Sequence, residues 1–598
     1  MLPEFISNPN PEIYLGNNYV CLDFETTNID KGSALTKGNS LLLACWCLGP
    51  DHSAKERDGR DHYHFGGEYS QVQLLAHISS ASFVVAHNLK FEYQWLKRCG
   101  AELRDLLGFD TQIGQFVING NRKTSLRLDD VAPHYGLGGK YSFVSRLIKG
   151  GCCPSTIPKQ WLLDYCQRDV QLCEEVFRSQ RPVLKSSGLL PVTYCRNLLT
   201  PCLADMEEPG MSLDAARVAE TYTEYKGRYD VLSDEFAALT GGINPKSPKQ
   251  MREFLYEKMK FAEVTDYKGN PILTDSGQKS TDKNILSQLT ATTPEQKVFK
   301  KCAHALATLK TPMQNLTKMM AIAATGENVH AKFNQTVVRS HRLSSSGAKG
   351  GFQFHNFDRA FKRLFRARDG YAYVEGDAPQ LEFRAAGHLT GDPVIRSSVL
   401  AGEDVHALSA SVLGVSRQAA KKDTFKPLYG GQSGTPKEKR YYEAFRAKYK
   451  KCYDTQKAWT YEVAQTGKLR IASGLIFYWP DTKIKDGGYV TNTPSIFNYP
   501  IQSFATADII PLTLVLLWHR TRSLDVRLVN TIHDSIVAEV ILKHLDKYVE
   551  KLVYSFTSGI YTLLEKLYGI SFQIPLGVGV KHSQHWGEGP EQKYEPMG

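Results

Sequence analysis

The chain has 598 residues, of which 42% are hydrophobic and 23% charged, a composition typical of a soluble globular protein with several domains. Its net charge of +11 favours an anionic partner without identifying one. The longest apolar run, 509–518, is too short to span a membrane, and the first ten residues lack the basic and apolar regions of a signal peptide, so neither a membrane protein nor a secreted one is expected.

The first predicted element is a strand at 17–28, NNYVCLDFETTN, in which Asp23 and Glu25 are two residues apart. Side chains two apart on a strand point to the same face, so these carboxylates lie side by side. They repel each other unless a cation lies between them, and hard oxygen ligands suit magnesium or manganese. A solvated acidic face on an edge strand is the alternative, because such a pair alone is weak evidence.

Two later segments add carboxylates to this pattern. In 82–96 an apolar strand is followed by a polar break and then by a predicted helix that carries Glu92. In 161–177 the helical period puts Tyr165 and Asp169 four residues apart, on one face of a helix. A Tyr–Asp pair at this spacing is common on any helix, so each segment gains weight only from the others.

Taken in order, DxE, the acid after HNxxF, and YxxxD resemble the tyrosine-bearing branch of the DEDD-type 3′–5′ proofreading exonucleases. The resemblance implies an α/β, RNase H-like exonuclease domain over residues 1–185, with two metal ions in its site. The residues implied are the metal ligands Asp23, Glu25, Glu92 and Asp169 and the water-orienting Tyr165. The family usually has aspartate where this chain has Glu92, so impaired proofreading is the alternative expectation.

A second pattern lies at 416–434, SRQAAKKDTFKPLYGGQSG, which spaces Arg417, Lys421, Phe425 and Tyr429 four residues apart. On an α-helix this spacing makes one stripe. Two cations followed by two aromatic rings suit the phosphates, base and sugar of a nucleoside triphosphate. An amphipathic helix with snorkelling basic side chains is the alternative. Pro427 cannot donate a backbone hydrogen bond, which predicts a kink in this helix.

A third pattern is LVNTIHDSIVAEV at 528–540, where two strand-like apolar runs flank His533, Asp534 and Ser535. An unpaired buried charge is costly, so a partner or a metal ion is expected at Asp534. A solvent-exposed hairpin tip is the alternative, because Asp and Ser are ordinary turn residues.

Together with YAYVEGDAPQLEFR at 371–384, these segments resemble the family A DNA polymerases, whose motifs stand in the same order. The resemblance implies a right-hand polymerase over 186–598, with an antiparallel palm sheet and helical fingers and thumb. The implied thumb is about 205–330, the palm about 331–400 and 495–598, and the fingers about 401–494.

The same resemblance implies the residues of a polymerase site. The metal ligands are Asp377 and Asp534. The nucleotide contacts are Arg417, Lys421, Phe425, Tyr429, Glu382, His406 and Gln380, with Glu382 rejecting a ribose 2′-hydroxyl. The DNA contacts are Arg342, in a segment that resembles one ending in GRLSS, together with Asn498, Gln502 and His533. The chain departs from the family pattern at Ala378–Pro379 and at Ser535, where Tyr-Ser and an acid are usual.

The implied function is extension of a primer on a DNA template with dNTPs by two-metal phosphoryl transfer, with 3′–5′ proofreading. The implied cofactor is magnesium, two ions per site, with manganese as a substitute, and the implied partners are primer-template DNA and dNTPs. We expect a monomer without membrane attachment, and the sequence leaves open whether a replisome protein or a processivity factor binds it. The short interval between His406 and Arg417 and the lack of a leading 5′-nuclease domain resemble a bacteriophage replicative enzyme, located in the cytoplasm of a bacterial host.

Two other interpretations stay open at this point. A single-subunit RNA polymerase shares the palm and the nucleotide helix, although Glu382 and the exonuclease motifs argue against it. A DNA-binding scaffold that has lost catalysis is suggested by Ala378–Pro379 and Ser535, and it predicts binding of primer-template without extension.

Overall fold

The computed structural model describes residues 2–53, 62–65, 71–265, 270–274, 276–346, 352–420, 424–431 and 434–595. The chain divides into two compact units. Unit 1 comprises Met1–Gly210, His330–Asn356 and Ala367–Gly598, and unit 2 comprises Met211–Val329 and Phe357–Arg366. These cuts fall at other positions than the expected boundary at 185/186, which stays a prediction.

The strands in chain order are β1 Tyr19–Thr26, β2 Leu41–Leu48, β3 His62–Phe65, β4 Phe83–Ala86, β5 Gly108–Asp110, β6 Lys332–Asn334, β7 Ser344–Ser346, β8 Tyr371–Asp377, β9 Lys468–Arg470, β10 Ile476–Tyr478, β11 Val526–Ile532, β12 Ser535–Ile541, β13 Val578–Ser583 and β14 Gln592–Tyr594. The α-helices are α1 Glu4–Ser7, α2 Gln71–Ser80, α3 Leu89–Arg98, α4 Thr111–Asn119, α5 Leu128–His134, α6 Ser142–Lys149, α7 Lys159–Ser186, α8 Leu190–Glu207, α9 Ala215–Thr240, α10 Pro248–Arg252, α11 Lys283–Gln288, α12 Pro294–Thr325, α13 Leu381–Thr390, α14 Pro393–Leu400, α15 Val405–Leu413, α16 Arg417–Ala420, α17 Pro436–Lys448, α18 Lys450–Thr466, α19 Thr493–Ser503, α20 Ile510–Arg520, α21 Leu545–Tyr554 and α22 Ile560–Tyr568.

The first sheet of unit 1 is mixed, with the strand order β3-β2-β1-β4-β5. The central strand β1 pairs antiparallel with β2 and parallel with β4. It is buried along nearly its whole length, because α7 packs across β1 and β2. A central, covered strand is an unusual place for two carboxylates, and β1 carries both Asp23 and Glu25.

The second sheet of unit 1 is antiparallel, with the strand order β11-β12-β8-β13-β14. Its register pairs Ser535 with Asp377 and Ile536 with Gly376 on one side of β8. On the other side of β8, Gly579 lies opposite Asp377. The β11–β12 turn therefore lies beside the carboxyl end of β8, which brings residues about 150 positions apart in the chain together.

Helix α8 packs against strands of both sheets, against β5 of the first and β11 of the second. Almost every residue of α8 is buried. The segment Thr493–Arg520, which includes α19 and α20, is long and apolar enough by composition to cross a membrane, but 94% of its most apolar stretch is buried inside the protein. Such burial is typical of a core helix.

Unit 2 is built on the long helices α9 and α12, which pack against each other. Helix α12 begins with a capping box, in which Thr293 and Gln296 satisfy each other's backbone N–H groups, and ends at Gly326 with φ +69°. The core of unit 2 is apolar and includes Phe236, Phe254 and Phe299.

Candidate active sites

Four carboxylates from three elements of unit 1 converge on one end of the first sheet. Asp23 and Glu25 come from β1, Glu92 from the first turn of α3, and Asp169 from the middle of α7. Glu25, Glu92 and Asp169 are buried, with 8%, 3% and 3% of their surface exposed. The sequence predicted this group, and the four residues do lie close enough to perturb one another.

The pKa values of these carboxyl groups are shifted upward. Burial and then the neighbouring Asp169 raise the pKa of Asp23 to about 7, with Lys140 opposing the rise. Burial and then Asp23 likewise raise the pKa of Glu25 and of Glu92. Clustered carboxyl groups that resist ionisation are stabilised by bound cations, because a cation replaces the lost hydration and screens the repulsion.

The donor set fits a divalent metal ion. Ligand atoms of Asp23, Glu25 and Cys166 all lie within 4.8 Å of one another. Glu92 Oε2 and Asp169 Oδ1 are buried and have no hydrogen-bond partner among the described residues. Buried carboxylate oxygens normally have a partner, so these two have coordination capacity left for an ion.

Two further side chains of this site have no place in the sequence motifs. The ammonium group of Lys140 forms an ion pair with Asp169 and lies 5.4 Å from the centre of the Tyr165 ring. The thiol of Cys166 donates to Asp23 Oδ2 at 3.6 Å. Cys166 directly follows Tyr165, so its position on the helix could have been foreseen. Lys140 could not, because its approach depends on the path of the loop after α5.

Asp110 positions the helix that carries Glu92. Its carboxylate accepts hydrogen bonds from the backbone N–H groups of Asn88 and Leu89, both at 2.9 Å, and caps α4 through Gln112. Asn88 has φ +72°, a left-handed conformation that these bonds help to hold. Asp110 therefore supports the site without facing it as a ligand.

The second site of unit 1 lies where β8 ends beside the β11–β12 turn. The backbone N–H of Ala378 donates to the carbonyl of Asp534 at 3.1 Å, which ties the two segments directly after Asp377. Desolvation, and then the Asp377 carboxylate, raise the pKa of Asp534 well above its usual value. Two carboxylates that share a site in this way suit a divalent cation between them.

Arg342, Glu382 and Gln502 lie around this carboxylate pair. Glu382 and Asp534 both attract the Arg342 guanidinium and oppose the lowering of its pKa by burial. Arg342 in turn limits the rise that burial produces in the pKa of Glu382. Tyr429 donates a hydrogen bond from its hydroxyl to Glu382. Arg342 and Tyr429, which come from two separate motifs, therefore both interact with Glu382, which comes from a third.

His533 occupies the hairpin turn with φ +57°. Its ring meets that of His355 edge-on, with 5.6 Å between the ring centres. His355 is held by Ser345, whose hydroxyl lies 2.8 Å from Nδ1, and burial lowers the pKa of His355 to about 3. His355 is a site residue that the sequence motifs do not indicate.

The described part of the segment 416–434 contains helix α16 at Arg417–Ala420 and a 3-10 turn at Pro427–Tyr429, and residues 421–423 between them lie outside the described residues. The 3-10 turn begins at Pro427, where the missing N–H was expected to kink this helix. The single stripe of four side chains stays a prediction. Lys421 lies outside the described residues.

The remaining predicted nucleotide contacts are Arg417, His406, Phe425 and Gln380. Arg417 Nε donates to Asp404 Oδ2 at 2.6 Å, and Asp404 also accepts from the N–H of His406. The ring of Phe425 lies 5.1 Å from that of His406. Gln380, after Pro379, has φ +53° at the start of α13.

Two DNA contacts predicted from the sequence lie on α19. Gln502 accepts a hydrogen bond from the Ser340 hydroxyl at 2.5 Å. Asn498 is half-buried, and its Oδ1 has no partner among the described residues. Both residues are partly exposed, while the Asn498 Oδ1 atom itself is buried.

The amino-acid sequence is similar to those of known DNA polymerases. The family model described as DNA polymerase family A matches residues 215–588. The thermostable DNA polymerase I of Thermus thermophilus is 27% identical over 459 residues, 71% of this chain and 52% of that protein. DNA polymerase I of Aquifex aeolicus is 24% identical over 525 residues, 79% of this chain and 83% of that protein. The chain thus spans about half the length of the Thermus relatives.

A solved structure has a similar fold. It is the POL domain of Pol1 from M. smegmatis in complex with DNA primer-template and dNTP. The TM-score is 0.71 at 18% sequence identity, and the match covers 98% of each chain. At this identity the match concerns the fold alone.

Proposed function

Since the chain belongs to DNA polymerase family A, we propose that it extends a primer along a DNA template with dNTPs, by two-metal phosphoryl transfer at Asp377 and Asp534. We further propose that the site at Asp23, Glu25, Glu92 and Asp169 removes misincorporated nucleotides as a 3′–5′ exonuclease. The M. smegmatis protein of similar fold is bound to primer-template and dNTP, and this supports the same partners here.

The pairing of Asp377 with Asp534 is the observation that carries the polymerase proposal. The register of β8 and β12 puts Ser535 opposite Asp377, so that Asp534, one residue earlier, faces the same end of the sheet. The raised pKa of Asp534 indicates that the two carboxylates are close enough to repel each other. This arrangement needs no acid at position 535, and Ser535 instead donates its hydroxyl to the carbonyl of Ile532.

Asp377 and Asp534 would hold the metal ions, for which magnesium is our expectation and manganese the substitute. When bound, these ions supply positive charge that favours ionisation of the primer 3′-hydroxyl and stabilises the pyrophosphate leaving group. Arg417 and His406 are suited to the triphosphate, and Arg342 to the primer end. Phe425 and Tyr429 offer rings to the base and sugar.

Glu382 and Tyr429 support selection of deoxynucleotides. The Tyr429 hydroxyl donates to Glu382 beside the site, and we expect this contact to oppose a ribose 2′-hydroxyl. A single-subunit RNA polymerase needs space for that hydroxyl. We therefore expect extension with dNTPs and little with rNTPs, and efficient use of rNTPs would favour the RNA polymerase interpretation.

The proofreading proposal rests on the buried carboxylate cluster and its free oxygen atoms. Glu92 has an extra methylene compared with the usual aspartate, yet it still lies near Asp23, because burial and then the Asp23 carboxylate raise the pKa of Glu92. Tyr165 is buried beside Asp169, where burial and that carboxylate raise its pKa, so that its hydroxyl stays protonated and can donate to water. Impaired proofreading remains the alternative outcome.

We also propose a role in the replication of a bacteriophage genome, in the cytoplasm of a bacterial host. The support is the short interval between His406 and Arg417, which is an analogy and not a property of either site. Infection with a phage that lacks the gene, followed by measurement of phage DNA synthesis, tests this role.

The test of both activities is one gel assay on a labelled primer-template with magnesium, run with and without dNTPs. We expect extension with dNTPs and shortening without them. Asp534→Ala should abolish extension and preserve shortening, while Asp23→Ala should do the reverse. Loss of one metal-binding carboxylate is expected to lower its reaction by several orders of magnitude.

Each alternative has its own outcome in this assay. Extension without shortening would mean that Glu92 has impaired the exonuclease. Shortening without extension, with primer-template still bound, would favour a scaffold that has lost synthesis. If either substitution reduced both activities equally, the assignment of two separate sites would be wrong.

A further inference from the structure

His341 has a strained backbone next to a predicted primer contact. Its φ is +63°, in the left-handed region that residues other than glycine rarely adopt, and only 2% of its surface is exposed. The segment of family A that it resembles has glycine at this position. This chain has instead a bulky side chain directly before Arg342. Because that side chain is buried, it must pack against other residues.

The ring of His341 is bound by helix α4, in the part of the chain that carries the exonuclease motifs. It stacks on Phe116 with 4.1 Å between ring centres and an interplanar angle of 31°. Its Nε2 lies 3.0 Å from the carbonyl oxygen of Gly120, which can only accept, so the neutral ring carries its proton there. Burial lowers the pKa of His341 to about 3, which keeps the ring neutral.

The carbonyl of Gly120 is itself held in place by β10. Gly120 ends α4 with φ +60°, and a Cβ atom there would lie 2.2 Å from the carbonyl oxygen of Ile476. Next to it, Asn121 Oδ1 accepts the backbone N–H of Tyr478 at 2.6 Å, and Arg122 lies 4.0 Å from the centre of the Tyr478 ring. The acceptor of the His341 hydrogen bond is therefore part of a tightly packed junction.

The residues on both sides of His341 face the polymerase site. Ser340 donates its hydroxyl to Gln502 at 2.5 Å. Arg342 is attracted by Glu382 and Asp534, while its Nε has no hydrogen-bond partner among the described residues. The direction of the Arg342 side chain depends on the backbone of the preceding residue, which is the one that α4 holds.

We propose that His341 is a positioning residue. Its contacts with Phe116 and Gly120 hold the backbone in the left-handed conformation, and this conformation aims Arg342 at the primer terminus. Helix α4 thus contributes to primer binding at the polymerase site. This inference rests on the proposed polymerase function and goes beyond it by giving the N-terminal α/β part a role in synthesis.

The test is a double-mutant cycle between His341→Gly and Phe116→Leu, read out as steady-state primer extension. His341→Gly should raise KM for primer-template about tenfold with kcat little changed, because glycine removes the ring contacts that hold this segment and leaves its backbone free to adopt other conformations. Phe116→Leu should raise KM less. The double variant should be no worse than His341→Gly alone, because both changes remove one contact.

His341→Asn guards against a folding defect, because asparagine tolerates the left-handed conformation without supplying the ring. We expect its KM to lie between those of the wild type and His341→Gly. The matched control is His519→Asn, which removes another buried histidine, in ring contact with Phe5 and Trp518, whose pKa burial also lowers to about 3. This control should leave KM for primer-template unchanged.

Three results would overturn the inference. They are additive effects of His341→Gly and Phe116→Leu, a fall in kcat at constant KM, and an equal rise of KM in the His519→Asn control. A wild-type protein that does not extend primers would instead overturn the proposed function. The two failures are therefore distinguishable in one set of measurements.

Discussion

The carboxyl group of Asp23 makes the stability of the metal-free protein depend on pH. Its folded pKa of about 7 lies above the usual value of 3.8, so between these pH values the folded state holds a proton that the unfolded state releases. The free energy of unfolding therefore falls as pH rises from about 4 to about 7 through this group. Metal binding should strengthen over the same interval, because proton and metal compete for the carboxylate.

Thermal unfolding in the presence of EDTA, at several pH values across this range, checks the prediction. Asp23→Asn should be less sensitive to the rise in pH than the wild type. Buried histidines such as His87, whose pKa is lowered to about 4, act with the opposite sign, so the difference between the two proteins is the quantity to follow. Equal pH dependence of wild type and variant would contradict the prediction.

Phe425 is expected to set the discrimination between dideoxynucleotides and deoxynucleotides. Its ring lies beside His406 and stacks on Phe383, with 5.9 Å between ring centres. The family resemblance implies that tyrosine at this position admits dideoxynucleotides, whose sugar lacks the 3′-hydroxyl. Phe425→Tyr should therefore raise the preference for ddNTP over dNTP about a hundredfold, within the range that recognition of one hydroxyl can reach.

Competitive primer extension with a ddNTP and the matching dNTP measures this preference directly. The wild-type protein should discriminate strongly against the ddNTP. Extension with dNTPs alone is the internal control, because the added hydroxyl should change it little. Equal termination by wild type and variant would mean that Phe425 does not contact the sugar.

At the scale of elements, the last strand supports the helix that carries Glu382. Glu595, directly after β14, forms two hydrogen bonds with the Arg384 guanidinium, at 2.9 and 3.0 Å. Arg384 belongs to α13 and is only 7% exposed, so it depends on this partner. Glu595→Gln should lower the free energy of unfolding by about 1 kcal/mol, since the carboxylate itself is half-exposed.

Urea denaturation of the full chain measures this loss. Glu591→Gln is the matched control, because it removes the same charge from the same segment and no ion pair of Glu591 occurs in the described part of the chain. A loss of stability in the control as large as in Glu595→Gln would indicate a general effect of charge instead of the contact with Arg384.

Elements with a simple hydrophobic period could be predicted from the sequence, and contacts that depend on loops could not. The alternation in 528–540 indicates the β11–β12 hairpin, and the helical period in 161–177 indicates α7 with Tyr165 and Asp169 on one face. The 3-10 turn at Pro427–Tyr429 begins at a residue without a backbone N–H, and the four-residue spacing of the stripe does not indicate such a turn. Lys140 reaches Asp169 only through a loop whose path no local pattern determines.

At the scale of the whole molecule, the two compact units should unfold separately. The core of unit 2 is formed by its own residues, Phe299 among them, and unit 1 has a buried ion pair between Arg196 and Asp508. Calorimetry should therefore resolve two transitions. Phe299→Ala should lower one of them, with a loss of about 3–5 kcal/mol, and Arg196→Met should lower the other by a similar amount.

The prediction is checked by which calorimetric transition each substitution shifts. Each substitution should shift one transition and leave the second in place. A single transition that both substitutions shift would show that the units unfold together. The comparison uses the full chain, so that no fragment has to fold by itself.

The contacts of helix α8 indicate how the proposed exonuclease should be inactivated. Asn197 on α8 accepts the backbone N–H of Asp110, while Arg196 beside it pairs with Asp508. Glu207 at the end of α8 binds Lys90 and Gln94 and also accepts the N–H of Phe333. Truncation near residue 185 would remove Asp110, Lys90 and Gln94 and leave Asn197 and Glu207 without these partners. For biotechnology, a point substitution such as Asp23→Ala is the suitable route, and trimming the gene from its 5′ end is not.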